Sequence, residues 1–213
     1  MKRSKLLKIL KDRILSIKID RPVLVSIDGV DAAGKTIFAK QLAIELEKSG
    51  LNVIQSSIDG FHNPREIRYR RGRENPDGYY RDSFNYEALK HNLLDPLKKG
   101  DLKYRSKYFD YTTDSRIKDP LKIADKRAIL IFDEVFSNRP ELRDYWDYSI
   151  YLHIDEDESI KRGLKRNGDN MEALKLYNSR YIRGQRIYQA EAEPLKYASI
   201  IIDNNDPDNP KIL

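Results

Sequence analysis

Apolar residues recur at Leu6, Leu7, Ile9, Leu10, Ile14, Leu15 and Ile17, the spacing of one helical face, so residues 1–20 predict an amphipathic N-terminal helix. A short apolar run, Val23-Leu24-Val25-Ser26-Ile27, follows. Helical spacing then returns at Phe38, Leu42, Ile44 and Leu46 and stops at Gly50. Four more short runs, at 53–58, 128–132, 149–154 and 198–202, are largely continuous, as expected of strands buried on both faces. Helical stretches fall between them at about 84–99, 156–166 and 171–192. Strands that alternate with helices predict an α/β protein, a parallel β-sheet flanked by helices with ligands beyond the carboxyl ends of the strands. No internal repeat or low-complexity linker divides the chain, so residues 1–213 read as a single domain in which 204–213 is a polar tail.

Composition narrows the class. With 213 residues the chain can bury one sizeable core, and 39% hydrophobic with 35% charged residues describes a solvated surface. No apolar stretch approaches the ~18 residues of a membrane span, and Met1-Lys2-Arg3 leads into an amphipathic segment, so a cytoplasmic location and no membrane partner are expected. The absence of cysteine excludes disulfides, thiolate metal sites and a cysteine nucleophile. A formal charge of +6 suits polyanions, and nucleotides and nucleic acids both qualify.

The motif Gly29-Val30-Asp31-Ala32-Ala33-Gly34-Lys35-Thr36 fits G-x-x-x-x-G-K-[ST] and stands between a predicted strand and a predicted helix. Glycines let the backbone turn its N–H groups toward phosphate, and the following helix adds the positive end of its dipole. Lys35 is placed to reach the β- and γ-phosphates and Thr36 to hold Mg²⁺, so ATP with Mg²⁺ is the expected ligand. The bland alternative is a glycine-rich strand-to-helix turn.

Acidic residues stand where the later strands end: Asp59-Gly60-Phe61-His62 after the second, Asp133-Glu134-Val135-Phe136 after the third. With Gly78-Tyr79-Tyr80-Arg81-Asp82-Ser83-Phe84, Leu94-Asp95-Pro96-Leu97, Pro140-Glu141-Leu142-Arg143-Asp144 and Arg180-Tyr181, this ordered series resembles the uridine kinase and phosphoribulokinase superfamily of P-loop small-molecule kinases, from about 23 to 203. The resemblance implies a P-loop NTPase fold with a helical lid, and a kinase acting on a small-molecule alcohol. It implies Asp59 as the base for the acceptor hydroxyl, beside the alternative of an Asp that caps a loop. It implies Asp133 as the second Mg²⁺ ligand with Thr36, although uridine kinases usually carry Glu-Gly where this chain has Asp133-Glu134; Glu134 is a candidate to share that role. Lys35 joins Asp59 as a catalytic residue.

The region 155–190 resembles the lid and substrate-side helices. Arg162 and Arg166, four apart on one helical face, are candidates to grip ATP phosphates, the alternative being a solvated charged face. Arg183 and Gln185 match the substrate-adjacent part of the family, and His62 reads as an orienting residue. Asp82 stands near the family position that holds ribose hydroxyls, with Asp77 as a competitor, and Tyr108, between Tyr104 and Tyr111, is a candidate to cover a nucleobase. Arg65, Arg68, Arg70, Arg71 and Arg73 fit a solvated basic loop, a phosphorylated acceptor or nucleic acid. A nucleoside such as uridine or cytidine is the leading acceptor, ahead of pantothenate or a sugar phosphate. A P-loop switch or nucleic-acid-associated ATPase is the reading from another class, weakened because no Asn-Lys-x-Asp guanine reader and no Leu-Ser-Gly-Gly-Gln signature occurs. Assembly into a homo-oligomer stays open.

Overall fold

The apolar runs pair into one six-stranded sheet, β1 (Val23–Gly29), β2 (Val53–Ser57), β3 (Ile129–Asp133), β4 (Tyr148–His153), β5 (Ile200–Asp203) and β6 (Lys211–Ile212), ordered β6-β5-β4-β1-β3-β2. The computed structural model describes residues 1–168 and 170–213. Neighbouring strands run parallel except β6, which is antiparallel to β5. The expected polar tail thus returns to the sheet: Ile212 supplies an apolar side chain and backbone pairs with Ile202. None of the described helices is long and apolar enough to cross a membrane.

Period-two alternation in β1 sorts the core into two layers. Val25 and Ile27 face α1 (Arg3–Leu15) and α2 (Lys35–Glu47), where Leu6, Leu10, Ile14, Phe38, Leu42 and Leu46 close one face of the sheet. Leu24 joins Leu130 and Phe132 on the opposite face, under Phe61, Phe84, Leu93, Phe136 and Trp146. On that second face the predicted 84–99 helix begins at Tyr86 and carries a π turn at Lys90–Leu94. Two helices relevant to the site follow β4: α3 (Glu156–Asn167) and, after Met171–Leu176 and a π turn at Tyr177–Tyr181, α4 (Ile182–Ala192).

At the carboxyl end of β1, Asp28 is fully buried, and its carboxylate accepts from Gly29 N (2.7 Å), Phe136 N (3.2 Å), Asn138 Nδ2 (3.0 Å) and Tyr188 Oη (2.5 Å). Phe136 holds φ +78°, a conformation unfavourable for a bulky residue. The bond to Asp28 and the rings of Tyr79, Tyr80 and Tyr188, with centroids 5.0–5.1 Å away, keep it there. Tyr188→Phe removes one charge-assisted bond from Asp28 and an acceptor for Asn138 N, so unfolding should cost about 1.5–3 kcal/mol less. Denaturant titration checks this as a lower midpoint at unchanged slope.

Candidate active site

The strand-to-helix turn after β1 has the backbone that its glycines permit. Gly29 lies at φ +147°, where a Cβ would sit 2.4 Å from Leu152 O, and Gly34 caps α2 at φ +87°. Neither position accepts a side chain without moving backbone. The turn is braced from several elements: Asn204 Nδ2 donates to Ala33 O (2.8 Å), Ser159 Oγ to Asp31 O (2.7 Å), and Tyr177 Oη to the Asp31 carboxylate (2.6 Å).

This turn forms one side of a cleft of about 670 Å³ at the carboxyl edge of the sheet. Lys35, Thr36, Asp59, His62, Asp133 and Glu134 all line it, together with Asp31, Ala32, Gly34, Arg162 and Arg166. Asp59 and Asp133 converge because β2 and β3 are parallel neighbours in the register Ser57↔Asp133. Thr36 Oγ1 donates to Asp133 Oδ2 (2.7 Å), and Lys35 Nζ donates to Gly29 O (3.0 Å) and Val30 O (2.8 Å). Burial lowers the Lys35 pKa, against the attraction of Asp31, Asp28 and Asp133. Burial raises that of Asp133, against the bond from Thr36. Glu134 is 1% exposed, neither of its carboxylate oxygens has a hydrogen-bond partner among the described residues, and burial with Asp28 nearby holds its pKa well above the carboxylate range.

The hydroxyl of Thr36 and the carboxylate of Asp133 are hard oxygen donors of the kind Mg²⁺ takes. No cluster of three acidic or histidine ligands able to cage a metal occurs among the described residues. The two arginines of α3 reach the cleft by different routes. Arg162 bonds Glu158 and the carbonyls of Asn204 and Asn205, while Arg166 contacts the Asp31 carboxylate at 3.3 Å.

On the acceptor side, the His62 ring lies 4.7 Å from Phe84 and 5.2 Å from Tyr111, and its Nδ1 is 3.1 Å from Asp59 O. Burial lowers its pKa. Other expected contacts lie outside the cleft lining. Asp82 is buried, and both of its oxygens are taken, by Arg70 Nη2 (2.5 Å) and Arg71 Nε (2.7 Å); burial opposes its charge, yet the two arginines outweigh burial and lower its pKa. It anchors the arginine-rich loop. Tyr108 is half-buried beneath Arg116, Arg183 is exposed, and Gln185 is buried away from the cleft. Asp77 pairs with Arg81. Residues not anticipated from the sequence are Arg3, whose Nη1 donates to Asn204 Oδ1 and Pro207 O, and Tyr79; both line the cleft. An arginine in an amphipathic helix and a tyrosine among fourteen carry no local signal of this placement.

No family model matches the chain. A uridine kinase of Shewanella frigidimarina is 29% identical over 203 residues, covering 84% of this chain and 86% of its own. The structure of a possible uridine kinase from Bacillus stearothermophilus superposes with a TM-score of 0.75 at 26% identity, over 93% of this chain and 97% of that one. At 14% identity, D-glycerate 3-kinase from Cryptococcus neoformans shares the fold, with a TM-score of 0.66 over 98% and 97%. The likeness to the uridine-kinase-like P-loop kinases read from the motifs is borne out, and the chain is a kinase with a small-molecule acceptor.

The pairing of Asp82 yields a test that separates anchoring from substrate contact. Replacing Arg70 and Arg71 together by Ala strands a buried carboxylate, so the melting temperature should fall by several degrees. The acceptor KM should stay within about threefold, below the tenfold that loss of a ~1.4 kcal/mol contact produces. Thermal melts and steady-state kinetics of the double variant check the two halves.

Proposed function

We propose that the protein transfers the γ-phosphoryl group of ATP to a primary hydroxyl of a nucleoside, with uridine or cytidine as leading acceptors. The observation that carries this is the convergence, in one cleft, of the Lys35 turn, the Thr36–Asp133 pair and the free edge of Asp59. Mg²⁺ bound with the nucleotide would neutralise charge on the phosphate oxygens, held on the protein side by Thr36 and Asp133.

The chain's own residues have three tasks. The turn supplies inward N–H groups and Lys35, whose ammonium exchanges the carbonyls of Gly29 and Val30 for phosphate oxygens. Arg162 and Arg166, at the mouth of the cleft, add fixed cations over the nucleotide. Asp59 accepts the proton from the acceptor hydroxyl as that oxygen bonds to phosphorus, and His62, against the Asp59 carbonyl and Phe84, shapes the wall beside it. Positioning and charge neutralisation dominate such a transfer, so a carboxylate within reach of the hydroxyl suffices as base.

A phosphorylated acceptor would need cations on the acceptor side. The arginines of 65–73 do not line the cleft: Arg70 and Arg71 are held by Asp82, and Arg68 by Asp114. A neutral acceptor fits better than a sugar phosphate. Nothing in the cleft calls for nucleic acid, and this reading includes a cytoplasmic enzyme with a small-molecule partner.

Lys35→Ala should lower kcat by about a hundredfold or more while the protein stays folded, since the residue serves the loop rather than the core. Asp59→Asn should lower kcat by roughly 10²–10⁴ with ATP affinity little changed. Weakened ATP binding with kcat spared in the second variant would assign Asp59 to the nucleotide or metal instead. ADP release across uridine, cytidine, pantothenate and a pentose phosphate settles the acceptor; turnover of the pentose phosphate alone would overturn the nucleoside assignment.

A further inference from the structure

Tyr79 is the one tyrosine that lines the cleft among the described residues, and its hydroxyl is unused within the fold. The residue is 7% exposed, it forms no side-chain hydrogen bond with any described residue, and its oxygen is not one of the unpartnered polar atoms sealed from solvent, so the hydroxyl opens on the cleft. The ring behind it is fixed. It belongs to the helix Pro76–Asp82, it meets the rings of Phe136 and Tyr181 edge-on at 5.1 and 5.0 Å, and it fills a notch in α4 where a Cβ on Gly184 would come within 2.7 Å of Tyr79 Cδ1. Burial, with Asp31 nearby, raises its pKa well above the usual tyrosine range, so at neutral pH the hydroxyl carries its proton. A fixed ring that ends in an unused hydroxyl at a cleft is a preorganised donor whose partner is a ligand.

Placement selects the ligand group. Lys35 and Thr36 open α2, which packs on one face of the sheet, whereas Tyr79 belongs to the apolar layer on the opposite face; the two reach the strand-end cleft from opposite sides. From Tyr79 a row of rings runs through Tyr181 to Tyr177, with centroids 5.0 and 5.2 Å apart, and the Tyr177 hydroxyl bonds the Asp31 carboxylate, so Tyr79 is set beside the phosphate turn. A terminal phosphoryl group has three equatorial oxygens. Lys35, with the Mg²⁺ that Thr36 and Asp133 would hold, serves those on its own side, and a hydroxyl on the other wall is placed for the remaining one. Resting on the ATP-dependent kinase reading above, we propose that the Tyr79 hydroxyl donates a hydrogen bond to the transferred phosphoryl group from the side opposite Lys35.

The test measures binding of ADP and of a non-hydrolysable ATP analogue, each with Mg²⁺, to the wild type and to Tyr79→Phe by calorimetry. The substitution keeps the ring and removes no bond within the protein, so the melting temperature should move by no more than about 1 °C. The Kd of the analogue should rise about ten- to a hundredfold, the loss of one hydrogen bond to a charged group. ADP lacks the transferred group, so its Kd should stay within about threefold, as should the KM of whichever acceptor is turned over. Equal weakening of ADP and the analogue would put the hydroxyl on another part of the nucleotide, and a raised acceptor KM with analogue affinity kept would put it on the acceptor. A melting temperature lowered by several degrees would give it a partner inside the protein, and unchanged values throughout would leave it none. Each of these overturns the assignment. A wild type that binds neither nucleotide ends the ATP reading together with this assignment, an outcome distinct from a wild type that binds both with affinities Tyr79→Phe leaves intact.

Discussion

The fully buried carboxylate of Asp28 is the constraint from which the site is built. A charge inside the protein is tolerable only when every lone pair is used, and Asp28 draws its donors from three places: the phosphate turn, the segment after β3, and Tyr188 on α4. Those are the pieces that must converge for a strand-edge cleft to exist. Fixing Gly29 sets the start of the turn, and fixing Phe136 holds the chain just after Asp133 and Glu134 in its unusual φ. The aromatic cluster around Phe136 converts that one polar knot into packing.

The cleft carries charge of both signs: Lys35, Arg162, Arg166 and Arg3 line it together with Asp31, Asp59, Asp133, Glu134 and Asp208. Lys35 is half-buried, and its desolvation appears as a lowered pKa that its acidic neighbours partly offset. Its ammonium rests on the carbonyls of Gly29 and Val30 in its own loop, neutral partners that leave its charge uncompensated there. Phosphoryl transfer uses charge of both signs, cations that neutralise phosphate and a carboxylate that accepts a proton.

The phosphate turn, the sheet and the acids at strand ends were legible in the sequence because each is set by local pattern: glycine spacing, short apolar runs, and an acid directly after a strand. Asp82 was not. Its sequence context pointed to a ligand contact, whereas its environment depends on Arg70 and Arg71 folding back from eleven and twelve residues away. The tail escaped for a related reason. Residues 204–213 are polar, yet the side chain of Asn204 reaches Ala33 O and Lys211–Ile212 add a strand by backbone pairing, and neither contact leaves a pattern in the sequence. Arg3 reaches the cleft only because α1 packs on α2 beside that loop. Long-range pairing of this kind has no period to read.

Asp31 shows how far the turn's influence extends beyond phosphate. The motif assigns it no chemistry, since its position is one of the four unspecified ones. In the fold its backbone carbonyl takes Ser159, and its carboxylate takes Tyr177 and Arg166, so the turn is joined at one residue to α3 and to the π turn that precedes α4. Tyr177 reaches it by crossing α3 at Gly163, where a Cβ would lie 1.9 Å from the tyrosine ring. A glycine in mid-helix costs about 1 kcal/mol of helix propensity, and here it is what lets the ring pass. Arg166 is thereby positioned through Asp31 beside the turn, and the turn and the segment that carries Ser159, Arg166 and Tyr177 are held in one arrangement.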